Sequence, residues 1–221
     1  MFGYQLVVLW LVIFIAISFP FVKHLDVMHR LIIFWSIITL FVFLFEIMLM
    51  FKSNYVCEKG KQYYDNGTCY WSEKDIRFSD MFSSKMYMDL YADYSLGDAK
   101  YRQNFGDSGF HFVMFGEIWH GIFAGLMSML VLYYNYTSPE TNFFYLSVLC
   151  LGLIQLIMII WYISPCVLEL FIETSINHSS KCWKPPLLWN LPWFIIPPIL
   201  IYFGANNILY PSSTPNDISQ K

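Results

Sequence analysis

Residues 110–134, FHFVMFGEIWHGIFAGLMSMLVLYY, are apolar for long enough to cross a bilayer as one helix, and yet they carry Glu117 and His120. About 20 such residues span the hydrocarbon core, and a spacing of three puts the two ionisable groups on one helical face. A carboxylate at that depth costs at least about 2 kcal/mol on insertion scales, so it persists where it faces a protein interior or a polar cavity and marks a site by default. The structural alternative is a strut. Glu117 would then be neutralised by a neighbouring polar group to pin a bundle, while Gly121-x-x-x-Gly125 on nearly the same face lets another helix pack closely. Either reading requires partner helices around this segment.

The whole chain has the composition of such a bundle. Of its 221 residues 57% are hydrophobic and 13% charged, whereas soluble domains carry about 25% charged residues. This implies a polytopic membrane protein, taken as a single integral domain over residues 1–221. A net charge of -3 without a basic cluster argues against nucleic acid as a partner and against a polybasic lipid-binding tail. There is no Gly-rich phosphate loop, CxxC pair or HExxH, and the five cysteines and five histidines form no recognisable ligand set. No metal or cofactor is expected.

Five spans are expected, at about residues 4–22, 31–51, 110–134, 143–164 and 187–210, which makes an all-α membrane bundle. The first lacks a basic n-region and a small-residue cleavage site, so it reads as a helix that stays rather than a signal peptide. Glu46 is the only charge in the second span, and Thr39 and Val42 lie seven and four residues before it on the same inward stripe. Residues 52–109 read as a long polar loop with Cys57, Cys69 and the sequon at Asn66. A disulfide and a glycan both call for the lumenal side. Alternation then puts the N-terminus in the lumen, the C-terminus and the Asn135 sequon in the cytosol, and the Asn177 sequon at the lumenal membrane surface. Within the loop, MFSSKMYMDLYADYSLGDAKY predicts a helix stopped at Gly97-Asp98, either lying on the membrane or solvated. Gln155 is the one amide of the fourth span and needs a partner inside the bundle. In the fifth, Asn190, Trp193 and Pro197 fall at i, i+3 and i+7 on one face, and Pro192, Pro197 and Pro198 suggest a kinked wall around a cavity.

In their order these pieces resemble the EXPERA family, in particular its emopamil-binding, sterol Δ8-Δ7 isomerase branch. HRLIIFW opens the second span and Glu46 lies inside it; LYADYSLGDAKY is similar to the family's tyrosine-alanine, glycine-aspartate, tyrosine segment; Phe112 and Glu117 follow; Asn190-x-x-Trp193-x-x-x-Pro197 resembles the fifth-span signature. The resemblance covers about residues 28–210. It implies an endoplasmic reticulum membrane protein whose Glu46, Glu117, Asn190 and Trp193 line a sterol pocket, with Thr39, Gln155 and Asp98 as further substrate-binding residues. Its implied partners are a sterol or sterol-like lipid and cationic amphiphilic amines, and a homodimer is left open. Two positions depart from the family pattern. Its isomerases carry a histidine where this chain has Val42, and a threonine where it has His120. Two functions follow as expectations: an isomerase in which Glu46, Glu117 and His120 exchange protons, or a sterol-binding regulator with the same pocket and no chemistry.

Overall fold

The computed structural model describes residues 25–68, 83–94, 108–172 and 180–211, with Leu9, Val12, Ile13, Ile15, Ala16, Phe19, Val22 and Lys23 before them; the side chains of 108–114, 117, 162–172 and 180–189 lie outside that description. Five helices form the described part: α1 (Val27–Asn66), α2 (Ser84–Tyr94), α3 (Ser108–Thr137), α4 (Asn142–Ile172) and α5 (Ser180–Leu209). There are no strands among the described residues. Three helices are long and apolar enough to cross a membrane, within Val27–Asn66, Asn142–Trp161 and Asn190–Leu209. Of the expected first span, the described positions from Leu9 to Val22 are helical.

α1 begins where its sequence supplies a cap. The Asp26 carboxylate accepts the backbone N–H groups of Met28 at 2.8 Å and His29 at 3.0 Å, and its second oxygen meets His29 Nδ1 at 2.5 Å. Arg30 folds back to donate to the carbonyls of Leu25 and Lys23 at 2.7 and 2.6 Å, which holds the chain leading into the helix. The far end is closed by Gly67 in the left-handed region at φ 62°, where its N–H reaches the carbonyls of Tyr63 and Tyr64. Only glycine enters that region without a Cβ penalty.

Residues 52–66 do not form the polar loop expected of them. The helix bends at Lys52, whose φ of -118° is non-helical, and continues to Asn66. The reason is a second apolar face: Val56, Cys57 and Gly60 are buried on this stretch, and α2 packs against it. Leu49 and Val56 of α1 meet Met88 and Ala92 of α2 in a small core, Phe45 stacks on Tyr87 with ring centroids 4.0 Å apart, and the Tyr55 hydroxyl donates to Asp89 at 2.5 Å. Lys85 reaches the other Asp89 oxygen at 3.2 Å. The apolar face of α2 is therefore turned to protein. Residues 95–107 lie outside the described set, as does Cys69, so the expected Cys57–Cys69 bond and Asp98 fall there too.

The remaining helices pack as antiparallel neighbours. α3 and α4 are joined by residues 138–141, in the gap expected between the spans at 110–134 and 143–164, where Glu140 takes a φ of 67°. α5 starts at Ser180, so residues 180–186 are helix where a loop was expected, and it runs on through Pro192, Pro197 and Pro198. Two glycines bring α4 and α5 close: a Cβ at Gly152 would stand 2.8 Å from the Pro197 carbonyl oxygen, and one at Gly204 2.7 Å from that of Tyr145. The main core unites Ile32 and Trp35 of α1, Ala124 and Val131 of α3, Phe144, Val148 and Leu151 of α4 and Leu200 of α5. His29 closes its end, stacked on Phe144 at 5.4 Å and edge-on to Phe203 at 5.8 Å. Large side chains such as Tyr133, Ile157 and Tyr202 point outward, as suits a bundle whose solvent is lipid.

Two outcomes are expected. Gly152→Ala sets a methyl against backbone that cannot swing aside, so it should lower stability by about 1–3 kcal/mol, read as a lower melting temperature in detergent. Asp26→Ala should cost about 1 kcal/mol as the loss of an N-cap. Partial burial pulls the Asp26 carboxyl up, but the hydrogen bonds and charge of His29 and the Met28 N–H outweigh this and hold it below the ordinary aspartate value. Because the folded pKa is depressed, its contribution is complete above about pH 4 and lost as pH falls through the folded value. The acid limb of the stability curve should accordingly be shallower in the variant.

Candidate functional site

α1 carries the site's first charge. Glu46 sits six residues before the bend and is 3% exposed, on the stripe that also buries Thr39 and Leu49. From α3, His120 brings Nδ1 to 2.9 Å from Glu46 Oε1, and both side chains are largely buried. Local sequence explains the approach. A Cβ at Gly121 would lie 2.5 Å from Glu46 Oε2, and one at Gly125 would lie 2.9 Å from the Phe43 ring, so α1 and α3 touch through the two glycines. The expected close-packing face is thus real, and it brings Glu46 and His120 into contact. At 2.9 Å a proton can reside on either partner, as imidazolium with carboxylate or as a neutral pair, which makes the contact an acid/base pair in a region of low dielectric.

A second cluster lies nearer the N-terminal end of α1. Gln155 of α4, fully buried, accepts from Trp35 Nε1 at 2.6 Å and donates through Nε2 to Thr39 Oγ1 at 2.9 Å. The Thr39 hydroxyl donates in turn to the Trp35 carbonyl at 2.9 Å. Trp193 of α5 meets the Trp35 ring with centroids 4.9 Å apart and planes inclined at 61°. Asn190, one turn earlier, is half-buried. The seven residues from Thr39 to Glu46 correspond to about 10 Å of helix axis. Two levels therefore stand on one stripe of α1, one acid/base and one amide and aromatic.

Placed against the sequence, these positions divide clearly. Glu46 joins His120; Thr39, Gln155 and Trp193 join one another; Val42, one turn before Glu46, is half-buried between the levels. Glu117 belongs to α3, but its side chain, like Asp98, is outside the described residues. Trp35 was not foreseen as part of the site. Its signal was available: a buried indole N–H needs an acceptor, and Gln155 is the one amide of the fourth span. Among the described residues no group of histidine, cysteine and acidic side chains is arranged to hold a metal ion. No family model, no curated protein and no solved structure matches this chain.

Gly121→Ala tests the close approach. The atom it displaces is the tip of a flexible side chain, so the variant should fold while its Glu46 carboxylate is pushed off the imidazole. The expected readout is a changed His120 ring resonance by NMR on selectively labelled protein, together with a lower melting temperature because the buried carboxylate loses its partner.

Proposed function

We propose that the protein is a sterol Δ8-Δ7 isomerase-like enzyme of the endoplasmic reticulum membrane, with five spans and a lumenal N-terminus, which moves a ring double bond by acid/base catalysis. The observation that carries the reading is the buried contact of Glu46 with His120 at 2.9 Å. Such a reaction needs one proton delivered to an alkene carbon, whose π electrons form the new C–H bond and leave a cation on its neighbour. A proton is then removed from the next carbon, and the C–H electrons form the shifted double bond. One proton is given and one taken, so a pair that holds a proton on either member meets the balance without a cofactor. A carboxylate and an indole face stabilise the intervening cation through charge and ring quadrupole.

The spacing of the two levels supports the substrate class. About 16 Å of helix axis between Glu46 of the acid/base pair and Trp35 of the Trp35–Trp193 corner suits a rigid, elongated, apolar ligand rather than a small one. The resemblance to EXPERA proteins points the same way. In this reading His120 performs from α3 the work that the family assigns to a histidine at the position of Val42, and Glu117 is the second carboxylate. The competing reading is a non-catalytic sterol-binding protein, favoured by Val42 itself.

Expression in cells lacking Δ8-Δ7 isomerase, followed by sterol analysis, decides between them. The isomerase reading expects Δ7 sterols to reappear, and His120→Ala to lower conversion by about 10²-fold or more, the usual worth of a positioned acid or base, while sterol binding persists. Val42→His should raise conversion. Equal sterol binding by wild type and both variants with no conversion by any of them leaves the binding protein standing.

A further inference from the structure

Phe43 lies three residues before Glu46, so the two side chains leave α1 on one face, and both come up against the glycines of α3. The ring lies over Gly125. A Cβ there would stand 2.9 Å from Phe43 Cγ, 3.0 Å from Cδ1 and 3.4 Å from Cβ, so three atoms of one side chain crowd a position where a methyl does not fit without movement. The same ring reaches Gly121, whose Cβ would stand 3.1 Å from Phe43 Cδ2 and 2.5 Å from Glu46 Oε2. One knob thus fills the hole between two glycines, the kind of contact by which packed helices keep their register, and the carboxylate occupies the space beside it.

The hydrogen bond from His120 to Glu46 does not set that register by itself. A glutamate side chain turns about several bonds and can follow an imidazole through a range of helix positions, whereas a ring wedged against backbone cannot. A slide of α3 along α1 drives the ring into one wall of the hole and opens a void at the other, and both cost packing energy. We propose that Phe43 is a positioning residue for the acid/base pair: its ring, seated across Gly121 and Gly125, fixes the register of α1 against α3 at which Glu46 Oε1 meets His120 Nδ1. Phe43 has no group that gives or takes a proton and acts only through Glu46. Its consequence for turnover rests on the catalytic reading of that pair, whereas the seat itself does not.

Full-length protein in detergent, carrying isotope-labelled histidine, tests this by NMR. The His120 ring signals are those missing from His120→Ala, and Glu46→Gln gives their position once the carboxylate is gone. Phe43→Ala empties the hole and Gly125→Ala forces the ring out of it, so each should carry the His120 signals toward those of Glu46→Gln. Combining Phe43→Ala with Gly125→Ala puts a methyl into the emptied hole and should bring the signals back toward wild type, a coupling that two independent losses of stability would not show. Val131→Ala is the control. It opens a cavity in the main core on the same helix, about 16 Å of axis from His120, and should lower the melting temperature without moving the His120 signals.

In conversion of a Δ8 sterol each single variant should lose about 10²-fold in kcat, the cost of a misplacement of about 1 Å, with KM little changed, and the double variant should recover part of the loss. His120 signals that keep their wild-type positions in Phe43→Ala, or that move equally in Val131→Ala, overturn the proposal. Should Gly125→Ala not fold, Phe43→Ala and the milder Phe43→Leu decide alone. If wild type converts no sterol while the signals follow Phe43, the isomerase reading falls and the seat stands.

Discussion

Buried polar side chains in a bundle like this must be matched by other groups of the protein, and the contact most demanding in this respect is that of Glu46 with His120. A carboxylate 3% exposed is tolerable only beside a group that shares or balances its charge. The imidazole does so at 2.9 Å, and it can do so only because α3 approaches α1 along Gly121 and Gly125. Backbone proximity, polar matching and proton chemistry are thus one arrangement. A larger residue on the α3 stripe would unsettle all three.

The same economy of means recurs where α1 meets α4 and α5. Gln155 answers two needs at once, an acceptor for the Trp35 indole and a donor for Thr39. Gly152 and Gly204 let α5 come near enough to α4 for Trp193 to rest on Trp35. Small residues bring the backbones together, and long polar residues tie them, which is the usual division of labour where lipid removes the hydrophobic drive between helices.

Much of this was legible in the sequence, and the remainder was hidden for definite reasons. The apolar runs gave the cores of α1, α3, α4 and α5, and the isolated charges and amide picked out Glu46, His120 and Gln155 as inward-facing. The stretch after Lys52 was misjudged because its polarity outweighs its apolar face: Val56, Cys57 and Gly60 are buried by α2, a partner that local pattern does not reveal. The start of α5 was placed too late because Pro185 and Pro186 look like helix breakers, although prolines are tolerated in a helix set among neighbours. Partner identities were the least legible. Spacing within a helix shows which way Gln155 points, but Trp35 and Thr39 lie 120 and 116 residues away, beyond any periodicity.

Those separations also govern the order in which the molecule can come together. Glu46 and His120 are 74 residues apart, so a growing chain that has completed α1 must carry a carboxylate and an indole N–H before α3 and α4 exist to receive them. Helices form locally and quickly, whereas contacts between distant segments wait for a long loop to close. Both the acid/base pair and the Gln155 clamp therefore wait on helices made after α1, and a chain interrupted before Gln155 contains α1 with the Trp35 indole N–H still lacking this acceptor.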